Sequence, residues 1–150
     1  QKIEITSKKQ MDEILSQLEG KEYVVSNIKQ GEKKRNPAPP FTTSTLQQEA
    51  SRKLNFPIKR TMSIAQALYE SGLITYMRTD STRISEEARA MAKEQIVNQY
   101  GENYYENRYY KTKKEAQDAH EAIRPAHLDM TPEEVKAKYS PEQYKLYKLI

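Results

Sequence analysis

The chain has 150 residues, 31% of them charged and 36% apolar, with a formal net charge of +4. That length holds one domain, or one domain and a piece of another, and the composition supports a lean core rather than a disordered chain. The sequence contains no cysteine, which excludes disulfide staples, thiolate metal sites and a cysteine nucleophile. No secretory signal and no apolar run of membrane-spanning length is present, and the mild positive charge permits a polyanionic partner without demanding one.

Gln1–Thr6 reads as the tail of an alternating strand already under way. Ser7 caps a helix, Gln10 reaches back as in a capping box, and Met11, Ile14, Leu15 and Leu18 recur at helical spacing before Gly20 stops the run. Tyr23–Ile28 is β-branched and predicts a strand. The basic run Lys33-Lys34-Arg35 reads first as a solvated loop and second as a contact to a nucleic-acid backbone. Asn36-Pro37-Ala38-Pro39-Pro40 is stiff and extended, and places a domain boundary between 1–36 and 37–150.

Thr42 to Thr45 offer N-caps for a helix whose Leu46, Ala50 and Leu54 share a face, with Gln47, Gln48 and Arg52 on its polar sides and Phe56-Pro57 closing it. Ser63-Ile64-Ala65-Gln66 predicts a second capping box, opening a helix with Ile64, Ala65, Leu68 and Tyr69 as its packed stripe and Gly72 as a left-handed stop. Ser85 begins a third helix with Glu86 and Glu87 in its first turn, Ala88, Met91, Ala92, Gln95 and Ile96 on its buried side, and Gly101 at its end. The segment 103–114 mixes Tyr104, Tyr105, Tyr109 and Tyr110 with Arg108, Lys111, Lys113 and Lys114. It reads equally as a stacking surface for single-stranded DNA and as a surface loop with half-buried rings. Thr131-Pro-Glu-Glu134 and Ser140-Pro-Glu-Gln143 are helix starts with a cap, a first-position proline and a third-position acid or amide. Tyr144–Ile150 stops inside an amphipathic helix, and no initiator methionine is present, so a fragment of a longer protein is expected. The fold class is mainly α with minor β.

Between the second and third helices lies Gly72-Leu-Ile-Thr-Tyr-Met-Arg-Thr-Asp-Ser81. Read as a strand, it puts Ile74, Tyr76 and Arg78 on one face and Leu73, Thr75 and Met77 on the other. A phenol beside a guanidinium can carry out phosphoryl transfer, with Tyr76 as nucleophile and Arg78 as a fork for the phosphate oxygens. On local chemistry alone, the same tyrosine reads as one of eleven and as an ordinary residue of an amphipathic strand.

Leu73–Ser81 resembles the active-site motif of the type IA DNA topoisomerases, and two further segments, Pro40–Ala50 and Ala119–Pro125, resemble the same family in the same order. The resemblance runs continuously from about Pro37 to Pro125. It implies that residues 1–36 end the β-rich arch domain and that 37–150 are most of the helical domain that carries the tyrosine. It implies that Tyr76 forms a covalent ester with a DNA 5′ phosphate while the enzyme cuts, passes and reseals single strands of negatively supercoiled DNA. A phenol ordinarily titrates near 10, so making phenolate at neutral pH costs about 4 kcal/mol. Arg78 would offset that cost and stabilise the phosphorane oxygens.

The resemblance further implies that His120 contacts the scissile-region phosphate or the DNA backbone, although a lone histidine is by itself more often structural. Glu121 would orient it, and Arg124 would pair with Glu121 or bind DNA. Glu70 corresponds to a family position near the active centre; by itself it is a solvated helix-end acid. Thr75 and Asp80 flank the nucleophile, Asp80 holding Arg78 in a bidentate pair. Thr43, Ser44, Gln47 and Ser81 are expected on the DNA side, the hydroxyls of Thr43 and Ser44 at a helix N-terminus suiting phosphates. His127 lies outside the motif and reads as structural.

In the family, Mg2+ is held by an acidic TOPRIM domain, and no repeated Asp-x-Asp appears in this sequence. The chain is therefore expected to supply the tyrosine half of a composite site, to need the TOPRIM and remaining topoisomerase domains, and to be unable to cleave DNA unaided. The expected partner is single-stranded DNA, without a membrane, in the cytoplasm at the nucleoid. Two other readings stand beside this one: a non-catalytic helical module that binds single-stranded nucleic acid, and the topoisomerase half of a reverse gyrase.

Overall fold

The computed structural model describes residues 3–110 and 120–150, so Lys111, Lys113, Lys114 and Ala119 lie outside the described residues. The chain divides into two compact units, residues 1–36 and 37–150.

In the first unit, α1 spans Lys8–Leu18. The Ser7 hydroxyl accepts the Gln10 N–H, and the Gln10 side chain takes the Thr6 N–H at 3.0 Å, so the capping exchange closes one residue earlier than expected. Gly20, at φ +69°, turns the chain after the helix. The strands expected at residues 3–6 and at Tyr23–Ile28 are not formed. Tyr23, Val24, Val25 and Ile28 are each at least 75% exposed. A strand holds its backbone groups by pairing, and the described residues of this unit supply no partner strand. The α1 stripe of Met11, Leu15 and Leu18 is likewise exposed, and the helix buries no residue.

The second unit is built from α2 (Thr43–Leu54), α3 (Ile58–Glu70), α4 (Glu86–Tyr100), a 3-10 turn at Glu102–Tyr104, α5 (Pro132–Lys138) and α6 (Pro141–Leu149). Leu46 and Ala50 of α2, Ile64, Ala65 and Leu68 of α3, Val135 of α5 and Leu146 and Tyr147 of α6 form one core with Leu73, Ile74, Met77 and Ile123. Each large aliphatic side chain among these contributes about 1.5–3 kcal/mol by leaving water. α6 packs against α2, α3 and α5, and the Arg60–Glu142 ion pair ties α3 to α6 at the surface. The Tyr147 hydroxyl donates to the Met130 carbonyl at 2.7 Å. Burial, with Asp129 and Glu134 nearby, pushes that phenol above its ordinary pKa.

Both proline-led helices start where the sequence places them, with complete capping boxes at Thr131/Glu134 and Ser140/Gln143. The Ser63 start does not hold. α3 begins at Ile58 after Pro57, whose φ of −60° already suits a helix entrance, and Ser63 is exposed in its middle. The apolar spacing explains the longer helix: Thr61, Ile64, Ala65 and Leu68 are buried along one stripe that a start at Ser63 would cut short. α4 has the expected Ser85 cap, but of its expected buried side only Ala88 is buried. Met91 is 50% exposed and Gln95 is exposed.

Candidate active site

Gly72, at φ +71°, closes α3 with two bonds: its N–H donates to the Tyr69 carbonyl at 2.8 Å, and the Leu73 N–H donates to the Leu68 carbonyl at 2.9 Å. This is a Schellman closure, completed by burial of both Leu68 and Leu73. It reverses the chain at once, so the tyrosine motif leaves directly from the end of α3.

Residues 73–77 are not a regular strand. The only β-bridges among the described residues are single pairs, Ile74 with Pro125 and Phe41 with Ile123. The strict alternation is therefore lost: Leu73, Ile74 and Met77 are all buried, and Ile74 does not share an exposed face with Tyr76. Tyr76, 43% exposed, and Arg78 do point out to solvent. The bends that bury three apolar residues of five satisfy the core better than a flat strand with one polar face would.

Two separate segments hold this one in place. From α2, the Thr43 hydroxyl donates to the Met77 carbonyl at 2.7 Å and accepts the Thr79 N–H at 2.9 Å, while the Thr43 N–H donates to the Thr79 carbonyl at 2.9 Å. From the other side, the Thr75 hydroxyl donates to the Ala122 carbonyl at 2.7 Å and accepts the Arg124 N–H at 3.0 Å. Backbone bonds from Thr75 N to Arg124 O and from Ala126 N to Leu73 O, both 2.9 Å, extend that pairing. The Ile123 N–H then reaches the Phe41 carbonyl at 2.8 Å, and the Ala122 N–H reaches the Arg83 carbonyl at 2.8 Å. The three segments singled out in the sequence thus bond to one another in a closed ring around Tyr76.

This arrangement reassigns several expected side chains. The Thr43 hydroxyl is spent on the motif backbone rather than turned toward a phosphate. Ser81 is 1% exposed and its hydroxyl accepts the Arg83 N–H at 3.1 Å, so it shapes the turn after the motif instead of facing DNA. Asp80 forms no ion pair with Arg78 among the described residues; both are exposed, and a solvated pair of this kind gains little. Ser44 is exposed and shares a 3.2 Å contact with the Thr42 hydroxyl, and Gln47 is half-buried on α2.

Glu121 does not orient His120. One carboxylate oxygen takes the Ser85 N–H at the start of α4, and the other meets the Arg124 guanidinium at 2.7 Å. Burial would raise its pKa; the Ser85 and Arg124 bonds outweigh that and hold it below the ordinary carboxylate value. His120 is exposed, two residues before Ala122, whose carbonyl receives the hydroxyl of the residue preceding Tyr76. Arg124 is half-buried and donates to Glu121 and to the Pro125 carbonyl. Glu70, exposed at the end of α3, accepts a 2.7 Å bond from Gln66.

One neighbour of the tyrosine was missed in the sequence. Tyr69, expected in the packed stripe of α3, is 41% exposed and meets the Tyr76 ring edge-on, with centroids 5.1 Å apart. The Gly72 turn brings together two rings seven positions apart, and its left-handed glycine was the available signal.

Among the described residues, no three His, Asp or Glu side chains stand close enough to hold a metal ion. No helix of the described residues is long and apolar enough to cross a membrane.

The three motifs thus meet at an exposed tyrosine and arginine. The bacterial DNA topoisomerase family model matches residues 1–150, and the chain belongs to that family, in the type IA class. The chain is also similar to full-length topoisomerase I from Thermotoga maritima, at 48% identity with a TM-score of 0.68. The match covers 79% of this chain and 20% of that protein, so the chain spans about a fifth of its relative's length.

Proposed function

We propose that this chain is the tyrosine-bearing part of a type IA topoisomerase that relaxes negatively supercoiled DNA. The observation that carries the reading is the exposed Tyr76 beside exposed Arg78, on a segment fixed by Thr43 and Thr75. The Tyr76 oxygen attacks a DNA phosphorus, forming the P–O(Tyr) bond as the P–O3′ bond breaks. The phenol proton is lost, and the departing 3′ oxygen gains one. A 5′-phosphotyrosine and a free 3′ hydroxyl result; the reverse attack reseals the strand after another has passed. The bond exchanged is an ester for an ester, so no nucleotide triphosphate is consumed.

Arg78 donates to the phosphorane oxygens and its fixed charge stabilises them. His120, exposed beside the same pairing, contacts the neighbouring phosphate. Arg124 acts indirectly, by fixing Glu121 and the segment that grips Thr75. Mg2+, which in the whole enzyme supports phosphate binding, is held by a domain outside this chain. The single-stranded substrate, those partner domains and a cytoplasmic, nucleoid-associated setting belong to the same reading.

Relaxation by the complete protein tests it. Tyr76→Phe should abolish relaxation of negatively supercoiled plasmid and leave binding of a single-stranded oligonucleotide intact. No relaxation by either protein, with oligonucleotide binding intact in both, would instead favour a non-catalytic module in which Tyr76 only stacks on a base, and relaxation by the Phe variant would remove Tyr76 as the nucleophile.

A further inference from the structure

The hydrogen bonds around the tyrosine motif hold its backbone and leave its ring to other forces. Thr75 on one side is tied to Ala122 and Met77 on the other to Thr43, so the Tyr76 backbone is fixed between them. The side chain beyond is exposed, and its hydroxyl has no hydrogen-bond partner among the described residues. A tyrosine on an open surface has three staggered positions about χ1, and they aim the phenol oxygen in different directions. Attack on phosphorus needs the reacting atoms in line at about 3–3.5 Å, so time spent in the wrong position is lost to the reaction.

Among the described residues, the ring that meets Tyr76 is that of Tyr69, with centroids 5.1 Å apart and an interplanar angle of 64°. This is the edge-to-face geometry that aromatic pairs favour. Tyr69 is itself anchored, because its carbonyl accepts the Gly72 N–H at 2.8 Å in the turn that closes α3. Its ring is not needed for packing: Ile64, Ala65 and Leu68 bury the core face of the helix, and Tyr69 is exposed. Nor does the helix need it, since leucine has the higher helix propensity. What leucine lacks is an aromatic ring to set against Tyr76.

We propose that Tyr69 is a positioning residue whose ring holds that of Tyr76 in the rotamer that aims the phenol oxygen at the DNA phosphorus. The inference rests on Tyr76 being the nucleophile. The same contact holds the ring once it carries the ester, so the phosphorus stays aligned for the returning 3′ hydroxyl. Losing it slows cleavage and resealing by the same factor and leaves the equilibrium amount of adduct unchanged. The Tyr69 hydroxyl has no partner among the described residues, so the ring is the part that acts.

The test uses the complete protein with Mg2+ and a single-stranded oligonucleotide labelled at its 3′ end, followed through single turnovers. Tyr69→Leu should reach the wild-type amount of Tyr76 adduct about three- to tenfold more slowly, and reseal it more slowly by the same factor. Its affinity for the oligonucleotide and its melting temperature should match the wild type, and Tyr69→Phe should restore both rates. Wild-type rates in Tyr69→Leu would overturn the proposal. So would rates lost in step with affinity, which would make Tyr69 a DNA contact, or in step with melting temperature, which would make it a packing residue. A Phe variant as slow as the Leu variant would move the role to the hydroxyl and overturn it too. In each of these cases a wild-type adduct on Tyr76 leaves the cleavage reading standing, whereas a wild type with no adduct on Tyr76 would remove both.

Discussion

Thr43 and Thr75 show how much a single hydroxyl can set. Each is half-buried, each both donates and accepts, and between them they fix the backbone on both sides of Tyr76. Thr43→Val keeps the shape but strands the Thr79 N–H, so it should cost about 1–3 kcal/mol in urea unfolding, with Thr43→Ser recovering most of it. An unchanged unfolding midpoint would show that the clamp is not holding the motif. Glu121 gives the site a pH dependence of definite sign. Its folded pKa is depressed, so its stabilising contribution is complete above the ordinary carboxylate value of about 4.3 and is lost as pH falls through the depressed value. Unfolding followed at pH 7 and pH 3 should show Glu121→Gln narrowing the gap between the two. The residue types at the centre were legible in the sequence. The Glu121–Arg124 pair was legible too, but the long-range partners were not: the bonds of Thr43 to Met77 and Thr79, of Thr75 to Ala122 and of Glu121 to Ser85 connect positions that only the folded chain brings together.

Elements announced by local chemistry formed where the sequence put them, because caps, first-position prolines and left-handed glycines act within a few residues. α5 and α6 are the clearest cases. Elements that depend on distant partners fared worse. The Ser63 cap lost to a longer buried stripe beginning after Pro57. The strands at 23–28 and 73–77 lacked a neighbouring ladder, and the latter bent to bury Leu73, Ile74 and Met77 together. Gly72 is the element-scale hinge of the site. An alanine there meets no steric obstacle, since nothing lies within 4 Å of its Cβ, but must hold φ near +71°. Gly72→Ala should therefore lower stability by about 1–2 kcal/mol through backbone strain. It should also weaken the Tyr69–Tyr76 ring contact, visible as a change in tyrosine fluorescence; an unaltered melting curve would contradict the role given to this turn.

At the scale of the molecule, the second unit is a helical core that carries an irregular surface assembled from three sequence segments far apart in the chain. That convergence is why a short tyrosine motif, ambiguous by itself, becomes a defined site. The family and the helical class could be read from the ordered motifs, whereas the interlock among them came only with the fold. The described residues offer no metal cluster, and the chain spans about a fifth of a homologous topoisomerase. The complete protein is thus where the chemistry is to be measured. It should be incubated with Mg2+ and a single-stranded oligonucleotide labelled at its 3′ end, stopped with SDS and digested with protease. The account predicts a labelled adduct on the peptide containing Tyr76, absent in Tyr76→Phe and absent when this chain alone is used. An adduct on any other residue, or one that survives Tyr76→Phe, would contradict the assignment of the nucleophile.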